Sequence, residues 1–249
     1  MKDVSKYADY LISWLEDKRE NYYQMQGYVL GVSGGIDSAV VAGLLALTKK
    51  PVSCLILPAL VSQNEDIEDA KAVLETFNLN YQIISIDTAY QAVIANFAAF
   101  FGDEQERIGV LRGNLMARLR MVYLYTLAQA QKAIVVGTDN LAEYHTGYFT
   151  KFGDGAADVF PLHKLRKEEV RQLAKHLGVP EKIITKSPSA GLSAGQTDEG
   201  EMGVSYQDLD AYLRGEKVSE NALERINFWH NRSHHKRVMP LTPLKPEEI

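Results

Sequence analysis

Four short apolar segments alternate with amphipathic segments along the first half of the chain. The apolar segments are "YVLGVS" (28–33), "VSCLILP" (52–58), "YQIISID" (81–87) and "AIVVGT" (133–138). The segments between them repeat apolar residues at helical spacing and cover residues 37–48, 63–78, 88–101 and 114–131. Strands that alternate with helices are typical of a parallel sheet with right-handed crossovers. The pattern predicts an α/β fold with a doubly wound, mostly parallel sheet and flanking helices.

The rest of the chain is predominantly helical, with two segments that lack periodicity. Helical spacing predicts helices over 3–24, 164–179, 205–215 and 219–237. The aperiodic segments are 139–163, which mixes aromatic residues with Gly-Asp-Gly, and 186–203, which is rich in Ser, Gly and Ala. With no internal repeat and no composition break, residues 1–249 are expected to form one domain with a helical C-terminal tail.

The composition narrows the class of protein. Of 249 residues 46% are hydrophobic and 24% charged, which is ordinary for a soluble globular chain. The net charge of −5 argues against a nucleic-acid partner, and no apolar run has the length of a membrane helix or a secretory signal. The single cysteine, Cys54, lies in an apolar segment and is expected to be a buried thiol. We therefore expect a cytoplasmic enzyme or binding protein without a membrane or nucleic-acid partner.

A glycine-rich turn joins the first strand to the following helix. The sequence "LGVSGGIDSAVVAGLL" (30–45) places Ser33-Gly34-Gly35 at the junction. Such a turn aims successive amides and a helix N-terminus at an anion, as phosphate sites do. It lacks the lysine of G-x-x-x-x-G-K-[ST] and the spacing of G-x-G-x-x-G. The alternative is a tight turn in which Asp37 or Ser38 only caps the helix.

Asp37 makes this turn unusual, because a carboxylate beside phosphates is costly unless a cation lies between them. A hard divalent ion such as Mg²⁺ is held by one or two carboxylates together with phosphate oxygens. The acid therefore predicts a complex of metal and nucleotide.

Ser-Gly-Gly-x-Asp-Ser after a first strand resembles the pyrophosphate-binding loop of the N-type ATP pyrophosphatases. That resemblance implies a Rossmann-like fold of the adenine nucleotide alpha hydrolase-like type, and cleavage of ATP to AMP and pyrophosphate. The residues that it implies for ATP binding are Gly31, Val32, Ser33, Gly34, Gly35, Ile36, Asp37 and Ser38.

Further stretches resemble the NAD synthetase family within that group. They are "RGNLMARLRMVYLY" (112–125), "GTDNLAEYHTGYFTKFGDGAADVFPL" (137–162), "LHKLRKEEV" (162–170), "KSPSAGLSAGQTDE" (186–199) and the C-terminal "HNRSHHKR". For ATP the resemblance implies contacts from Thr138, Lys167 and Ser189, the last at a position where the family often has Thr. For deamido-NAD⁺ it implies Arg118, Lys151, Asp158, His235 and Lys236. It implies that Asp37 and Glu143 share Mg²⁺.

Several of these residues have simpler interpretations. Glu143 stands at the spacing of a capping box with Asn140. Arg118 has the alternative of a surface ion pair, and Lys167 that of a solvated helix lysine. Asp154 lies between glycines, as turn-forming aspartates do. The histidines near the C-terminus lack the Cys or acid partners of a metal site.

The resemblance implies ligase chemistry in two steps. The nicotinate carboxylate of deamido-NAD⁺ attacks the α-phosphate of ATP to give an acyl-adenylate, and ammonia then displaces AMP. Asp37 and Lys167 are the expected catalytic residues, and Asp154 is a candidate for orienting or deprotonating ammonium. The chain has no room for an amidase domain, so the expected nitrogen donor is free ammonia or a separate partner protein, and the family suggests a homodimer. The alternatives are another ATP pyrophosphatase that acts on tRNA or a nucleotide, and a nucleotide-binding module without chemistry.

Overall fold

The computed structural model describes residues 1–59, 62–97, 100, 105–187 and 197–246, with backbone only at 105–107. A four-stranded, all-parallel sheet forms its centre, in the order β3-β2-β1-β4. The strands are β1 (Gly27–Gly31), β2 (Val52–Ile56), β3 (Tyr81–Ile83) and β4 (Ala133–Val136). The chain winds outwards from β1 to β3 and then returns to the other side of β1 with β4. The doubly wound α/β fold expected from the sequence is confirmed, and ligands of such sheets bind at the carboxyl ends where the winding reverses.

Eleven α-helices lie within the described residues. They are α1 (Val4–Asp17), α2 (Ile36–Leu47), α3 (Asn64–Thr76), α4 (Asp87–Phe97), α5 (Gln105–Gln131), α6 (Leu141–Thr146), α7 (Lys167–Leu177), α8 (Glu181–Thr185), α9 (Asp198–Met202), α10 (Tyr206–Leu213) and α11 (Glu220–Arg232). A π-helical turn (Lys18–Tyr22) extends α1, and a 3-10 turn (His234–Lys236) follows α11. None of the helices in the described ranges has the length and apolarity needed to cross a membrane.

The sheet is covered on both faces, which explains why its strands are apolar without a polar side. Tyr28 and Leu30 belong to the larger core with α1, α2 and α7. Val29 points to the opposite face and packs with Ala128 of α5. Cys54 lies in the larger core as a buried free thiol, as expected.

A second, smaller core brings α6, α9, α10 and α11 together. Its buried residues include Ala142, Met202, Tyr206 and Ile226. Helix α10 contacts both α6 and α7. Residues from the last fifth of the chain are thereby placed beside the helix that follows β4.

The boundaries of several elements differ from the sequence pattern. Helix α5 begins at Gln105 rather than at 114, and a short helix α6 lies in the segment 139–163, which lacks periodicity. Helix α7 begins at Lys167 rather than at 164, because the buried Leu162 and Leu165 close a tight turn before it. This places Lys167 in the first turn of the helix instead of on an exposed flank.

Candidate active site

The glycine turn leaves β1 at its carboxyl end and leads directly into α2. Gly34 has a φ of +85°, and a Cβ atom there would lie 2.4 Å from the carbonyl oxygen of Asp66. Glycine is therefore required for both conformation and space. Ser38 Oγ accepts a hydrogen bond from Ser33 N at 3.3 Å and donates one to the Gly35 carbonyl oxygen at 3.0 Å, which closes the turn on itself.

The N-cap of α2 is Gly35, so Asp37 is not used as a cap. Its carboxylate instead contacts the N-cap residue of α6 and the first residue of α7. Asp37 Oδ1 accepts a hydrogen bond from Asn140 Nδ2 at 3.0 Å, and Oδ2 contacts Lys167 Nζ at 2.5 Å. The acid of the glycine turn is thus tied to two elements that are more than 100 residues away in sequence.

Lys167 joins two carboxylates from different elements. Its Nζ lies 2.5 Å from Asp37 Oδ2 and 3.4 Å from Glu143 Oε1, and the residue is only 1% exposed. Burial disfavours the charged amine, but the two acids outweigh it and raise the pKa of Lys167. The expectation of a lysine beside the glycine turn agrees with this geometry, whereas a solvated helix lysine does not.

Glu143 has two uses, one for each oxygen. Oε2 accepts the N–H of Asn140 at 3.0 Å, and the Asn140 side chain accepts the N–H of Glu143 in return, so the capping box is present. Oε1 faces Lys167. Burial, followed by the neighbouring Asp37, raises the pKa of Glu143 to about 7. The capping interpretation is correct and still leaves one oxygen for the site.

Helix α10 also holds Lys167 in place, in addition to the contacts with Asp37 and Glu143. The carboxylate of Asp210 accepts the backbone N–H groups of Lys167 and Glu168 at 3.1 and 2.8 Å. The ring of Tyr206 lies 4.8 Å from Lys167 Nζ, and its hydroxyl lies 3.4 Å from Glu143 Oε1 and 3.0 Å from Asp198 Oδ2. Two residues of α10 thus hold the lysine by its backbone and its ammonium group.

Asp139 is a further acid at this edge of the sheet. It follows β4, is 5% exposed, and its Oδ2 atom is buried without a hydrogen-bond partner among the described residues. Burial and the negative charges of Asp154, Glu143 and Asp37 raise the pKa of Asp139 well above its usual range. The sequence analysis did not select this residue.

Asp37 and Glu143 form a donor set that suits Mg²⁺. Both offer carboxylate oxygens, and the Lys167 ammonium offsets only one of their two negative charges. Mg²⁺ needs only one or two carboxylates when phosphate oxygens complete its shell. In the described part of the chain no three His, Cys, Asp or Glu residues are grouped so that they could hold a metal ion by themselves.

A second group of predicted residues lies around the segment after α6. Lys151 Nζ donates to the His235 carbonyl oxygen at 2.6 Å, and the exposed Arg118 donates to the Lys151 carbonyl oxygen at 3.3 Å. Lys236 Nζ donates to the carbonyl oxygens of Gly147 and Phe149. The fold therefore brings Arg118, Lys151, His235 and Lys236 together, and the partner of Arg118 is a carbonyl rather than the acid of a surface ion pair.

Asp154 and Asp158 have structural contacts of their own. Asp154 is exposed, and its Oδ1 accepts the N–H of Thr150 at 3.0 Å, as in a turn. Asp158 Oδ2 accepts the N–H of Val135 at 2.7 Å, and its backbone carbonyl accepts the hydroxyl of Tyr23. The carboxylate of Asp158 is thus engaged with the edge strand β4.

Two further residues are predicted from the sequence to contact ATP, Thr138 and Ser189. Thr138 is half-buried at the carboxyl end of β4, next to Asp139 and Asn140. Ser189 lies outside the described residues.

Sequence reasoning missed residues of two kinds. Asp139 and Asn140 directly follow β4, where polar residues at a strand's carboxyl end are a signal for a site. Tyr206, Asp198 and Asp210 lie on the C-terminal helices and carry no local pattern that distinguishes them from surface residues.

The chain matches known proteins along nearly its whole length. The family model described as NAD synthase matches residues 7–240. The NH(3)-dependent NAD(+) synthetase of Mannheimia succiniciproducens is 60% identical over 245 residues, which is 98% of each protein. The NH(3)-dependent NAD(+) synthetase of Syntrophomonas wolfei is 43% identical over 244 residues, covering 97% of each.

Solved structures share the fold closely. The NMN synthetase from Francisella tularensis is 51% identical with a TM-score of 0.92, over 97% of this chain and 98% of that one. The NH3-dependent NAD synthetase from Campylobacter jejuni is 30% identical with a TM-score of 0.77, over 97% and 99%.

Proposed function

Because this chain belongs to the NAD synthase family, we propose that it converts deamido-NAD⁺, ammonia and ATP to NAD⁺, AMP and pyrophosphate. It is an amide-forming ligase in this assignment. The observation that carries the proposal is the contact of one buried lysine, Lys167, with both Asp37 of the glycine turn and Glu143 after β4. Such a site suits a polyphosphate with its metal at the carboxyl end of a doubly wound sheet.

Residues 31–38 bind the triphosphate in this proposal, through amides at the N-terminus of α2. Lys167 adds a positive charge near the pyrophosphate as it leaves, and Thr138 and Ser189 contact ATP. Asp37 and Glu143 would hold Mg²⁺, which when bound neutralises phosphate charge. Catalysis then rests on positioning and on electrostatic stabilisation that is in place before reaction.

Deamido-NAD⁺ is assigned to Arg118, Lys151, Asp158, His235 and Lys236. All of these except Asp158 are supported by hydrogen bonds that bring them together beside the segment that follows α6. The nicotinate carboxylate attacks the α-phosphate, and ammonia attacks the resulting acyl-adenylate. Asp154, which is exposed beside this group, would orient the incoming nitrogen.

Ammonia rather than glutamine is the proposed donor. The curated relatives named above are NH(3)-dependent. A glutaminase of the expected kind needs a cysteine nucleophile, and burial raises the pKa of Cys54, the only cysteine, to about 12. Its thiol is therefore unsuited to nucleophilic attack.

A second candidate substrate is nicotinate mononucleotide, whose amidation gives NMN. The observation that favours it is the TM-score of 0.92 with the NMN synthetase, against 0.77 with the NAD synthetase from Campylobacter jejuni. Both substrates present the same nicotinate carboxylate, so the site described above serves either.

One experiment separates the candidates. AMP release from ATP is measured with each nucleotide, with and without ammonium. A higher kcat/KM for deamido-NAD⁺ supports the first proposal, and a higher value for the mononucleotide supports the second. AMP release that needs neither nucleotide, or no release at all, contradicts both and leaves tRNA amidation or a binding module.

We further propose that residues 1–249 act as one domain, as a homodimer in the cytoplasm. The apolar stripe of α1 packs inside the protein through Leu11 and Leu15, so it is not free for association. On α5, by contrast, the apolar residues Val110 and Val122 are exposed. Light scattering on the purified chain checks the dimer, and a monomeric mass at assay concentration contradicts it.

A further inference from the structure

Asp139 has a buried carboxylate oxygen that no residue described in the structure satisfies. The residue is 5% exposed and its Oδ2 atom has no hydrogen-bond partner there. A buried carboxylate without a partner is costly, and proteins retain one where a cation pairs with it or where it holds a proton. The position is at the carboxyl end of β4, between Thr138 and Asn140, and therefore inside the proposed site.

The charges around Asp139 are predominantly negative. Asp154, Glu143 and Asp37 all act on it unfavourably, in that order of strength. Among the strongest influences the favourable charge is Lys236, whose ammonium donates to the carbonyl oxygens of Gly147 and Phe149. The Asp139 Oδ2 atom is thus surrounded mainly by negative charge, which attracts a cation, and none of the side chains that the structure describes donates to it.

The proposed reaction brings three cationic groups to the site, namely Mg²⁺, the pyridinium ring of the nicotinate nucleotide and ammonium. Mg²⁺ has its own donor set in Asp37 and Glu143, and the pyridinium ring has no N–H to donate. Ammonium is the remaining one, and its N–H groups can donate to the Asp139 oxygen, which accepts no hydrogen bond from the described residues. Asp139 also precedes Asn140, whose side chain donates to Asp37 Oδ1 at 3.0 Å, so the backbone of Asp139 adjoins a residue that contacts the glycine turn.

We propose that the Asp139 carboxylate is the binding site for the ammonium ion and accepts its proton as the nitrogen attacks the acyl-adenylate. This inference rests on the proposed function and assigns its nitrogen site. An N–H bond of ammonium breaks, its proton goes to Asp139 Oδ2, and the freed electron pair forms the C–N bond. The C–O bond to AMP breaks, AMP leaves with that electron pair, and the nitrogen loses a second proton to solvent. In this assignment the exposed Asp154 helps to orient the incoming ammonium through its negative charge, without accepting the proton.

The test compares two nucleophiles and two variants. Hydroxylamine is largely neutral near neutral pH, whereas ammonia is largely protonated, so only ammonium needs a carboxylate to bind and deprotonate it. Asp139→Asn keeps the shape and removes the charge, and Asp154→Asn is the matched control at the exposed acid. Exchange of labelled pyrophosphate into ATP without ammonium reports adenylate formation alone.

For Asp139→Asn we expect pyrophosphate exchange into ATP at the wild-type rate. The KM for ammonium should rise about 10- to 100-fold, because the variant loses one charge-assisted hydrogen bond to the ion. Turnover with hydroxylamine stays within about twofold of wild type by the same reasoning. Asp154→Asn is expected to raise the KM for ammonium less. If Asp139→Asn does not fold, Asp139→Ser replaces it with the same expectations.

Three results overturn the inference. They are an unchanged KM for ammonium in Asp139→Asn, an equal loss with ammonium and hydroxylamine, and a selective ammonium defect found only in Asp154→Asn. Failure of the proposed function is recognised separately, because the wild-type enzyme then shows no pyrophosphate exchange with either nicotinate nucleotide.

Discussion

Replacing Glu143 by Gln should make the protein more stable while it removes activity. Burial and Asp37 raise the pKa of this carboxyl from 4.5 in the unfolded chain to about 7 in the folded protein. A raised carboxyl pKa means that the folded state prefers the protonated form. The stability that Glu143 contributes is therefore present below 4.5 and is lost as the pH rises to about 7.

The magnitude follows from that difference in pKa. Each pKa unit corresponds to about 1.4 kcal/mol, so ionised Glu143 costs the fold about 3 kcal/mol above the folded pKa. Glutamine cannot ionise, and its amide oxygen can still accept the N–H of Asn140. Without metal and ATP, the free energy of unfolding of Glu143→Gln should exceed that of wild type by about 3 kcal/mol above pH 7, and the gain should vanish towards pH 4.5.

The assay is urea unfolding over this pH range in the presence of a chelator, with Glu169→Gln as a matched control. Glu169 is likewise the third residue of a helix and accepts the N–H of the residue before that helix, Arg166. Burial opposes its ionisation, but hydrogen bonds from Arg166 prevail and lower the pKa of Glu169. That variant should therefore lose stability at neutral pH, and lose less as the pH falls. Changes of the same sign in both variants would refute the reasoning.

Further substitutions test the other parts of the site. Asp37→Asn should abolish AMP formation with the circular dichroism spectrum intact, because it removes a carboxylate proposed to hold Mg²⁺; normal turnover would contradict the metal assignment. Lys167→Met leaves the carboxylates of Asp37 and Glu143 facing each other, so the free energy of unfolding at neutral pH should fall by about 3–5 kcal/mol, and a fall below about 1 kcal/mol would show that the lysine is not their main partner. Gly34→Ala forces a Cβ atom to within 2.4 Å of the Asp66 carbonyl at a φ of +85°, so ATP binding measured by calorimetry should weaken by more than tenfold, about 1.4 kcal/mol, and unchanged affinity would show that the turn does not contact ATP.

The order of strands and helices could be predicted from the sequence because it depends on local spacing. Strands buried on both faces are continuously apolar, and the helices between them show one apolar side, so 28–33 and 37–48 are distinguishable without a structure. The glycine turn is equally local, because its conformation is confined to Ser33–Ser38. Its resemblance to a known loop also selected Asp37, and resemblance in later stretches selected Glu143 and Lys167.

Tertiary packing determines where individual helices begin and which single polar residues are buried. Helix α7 starts at Lys167 because Leu162 and Leu165 fill the core in a turn, and Asp210 of α10 receives the first N–H groups. Nothing within residues 162–170 indicates that the lysine is buried. Its burial follows from acids that approach from two distant segments.

The sequence by itself therefore determined the class of fold, the phosphate turn and the types of charged residue available to the site. Tertiary structure decided which polar groups are paired. Lys167 contacts Asp37 and Glu143, the Tyr206 hydroxyl contacts Asp198 and Glu143, and Asp139 Oδ2 has no hydrogen-bond partner among the described residues. The physical reason is the distance along the chain over which each interaction acts. Backbone preference and amphipathic spacing act over a few residues, whereas the electrostatic environment of a carboxylate depends on every element that folds against it.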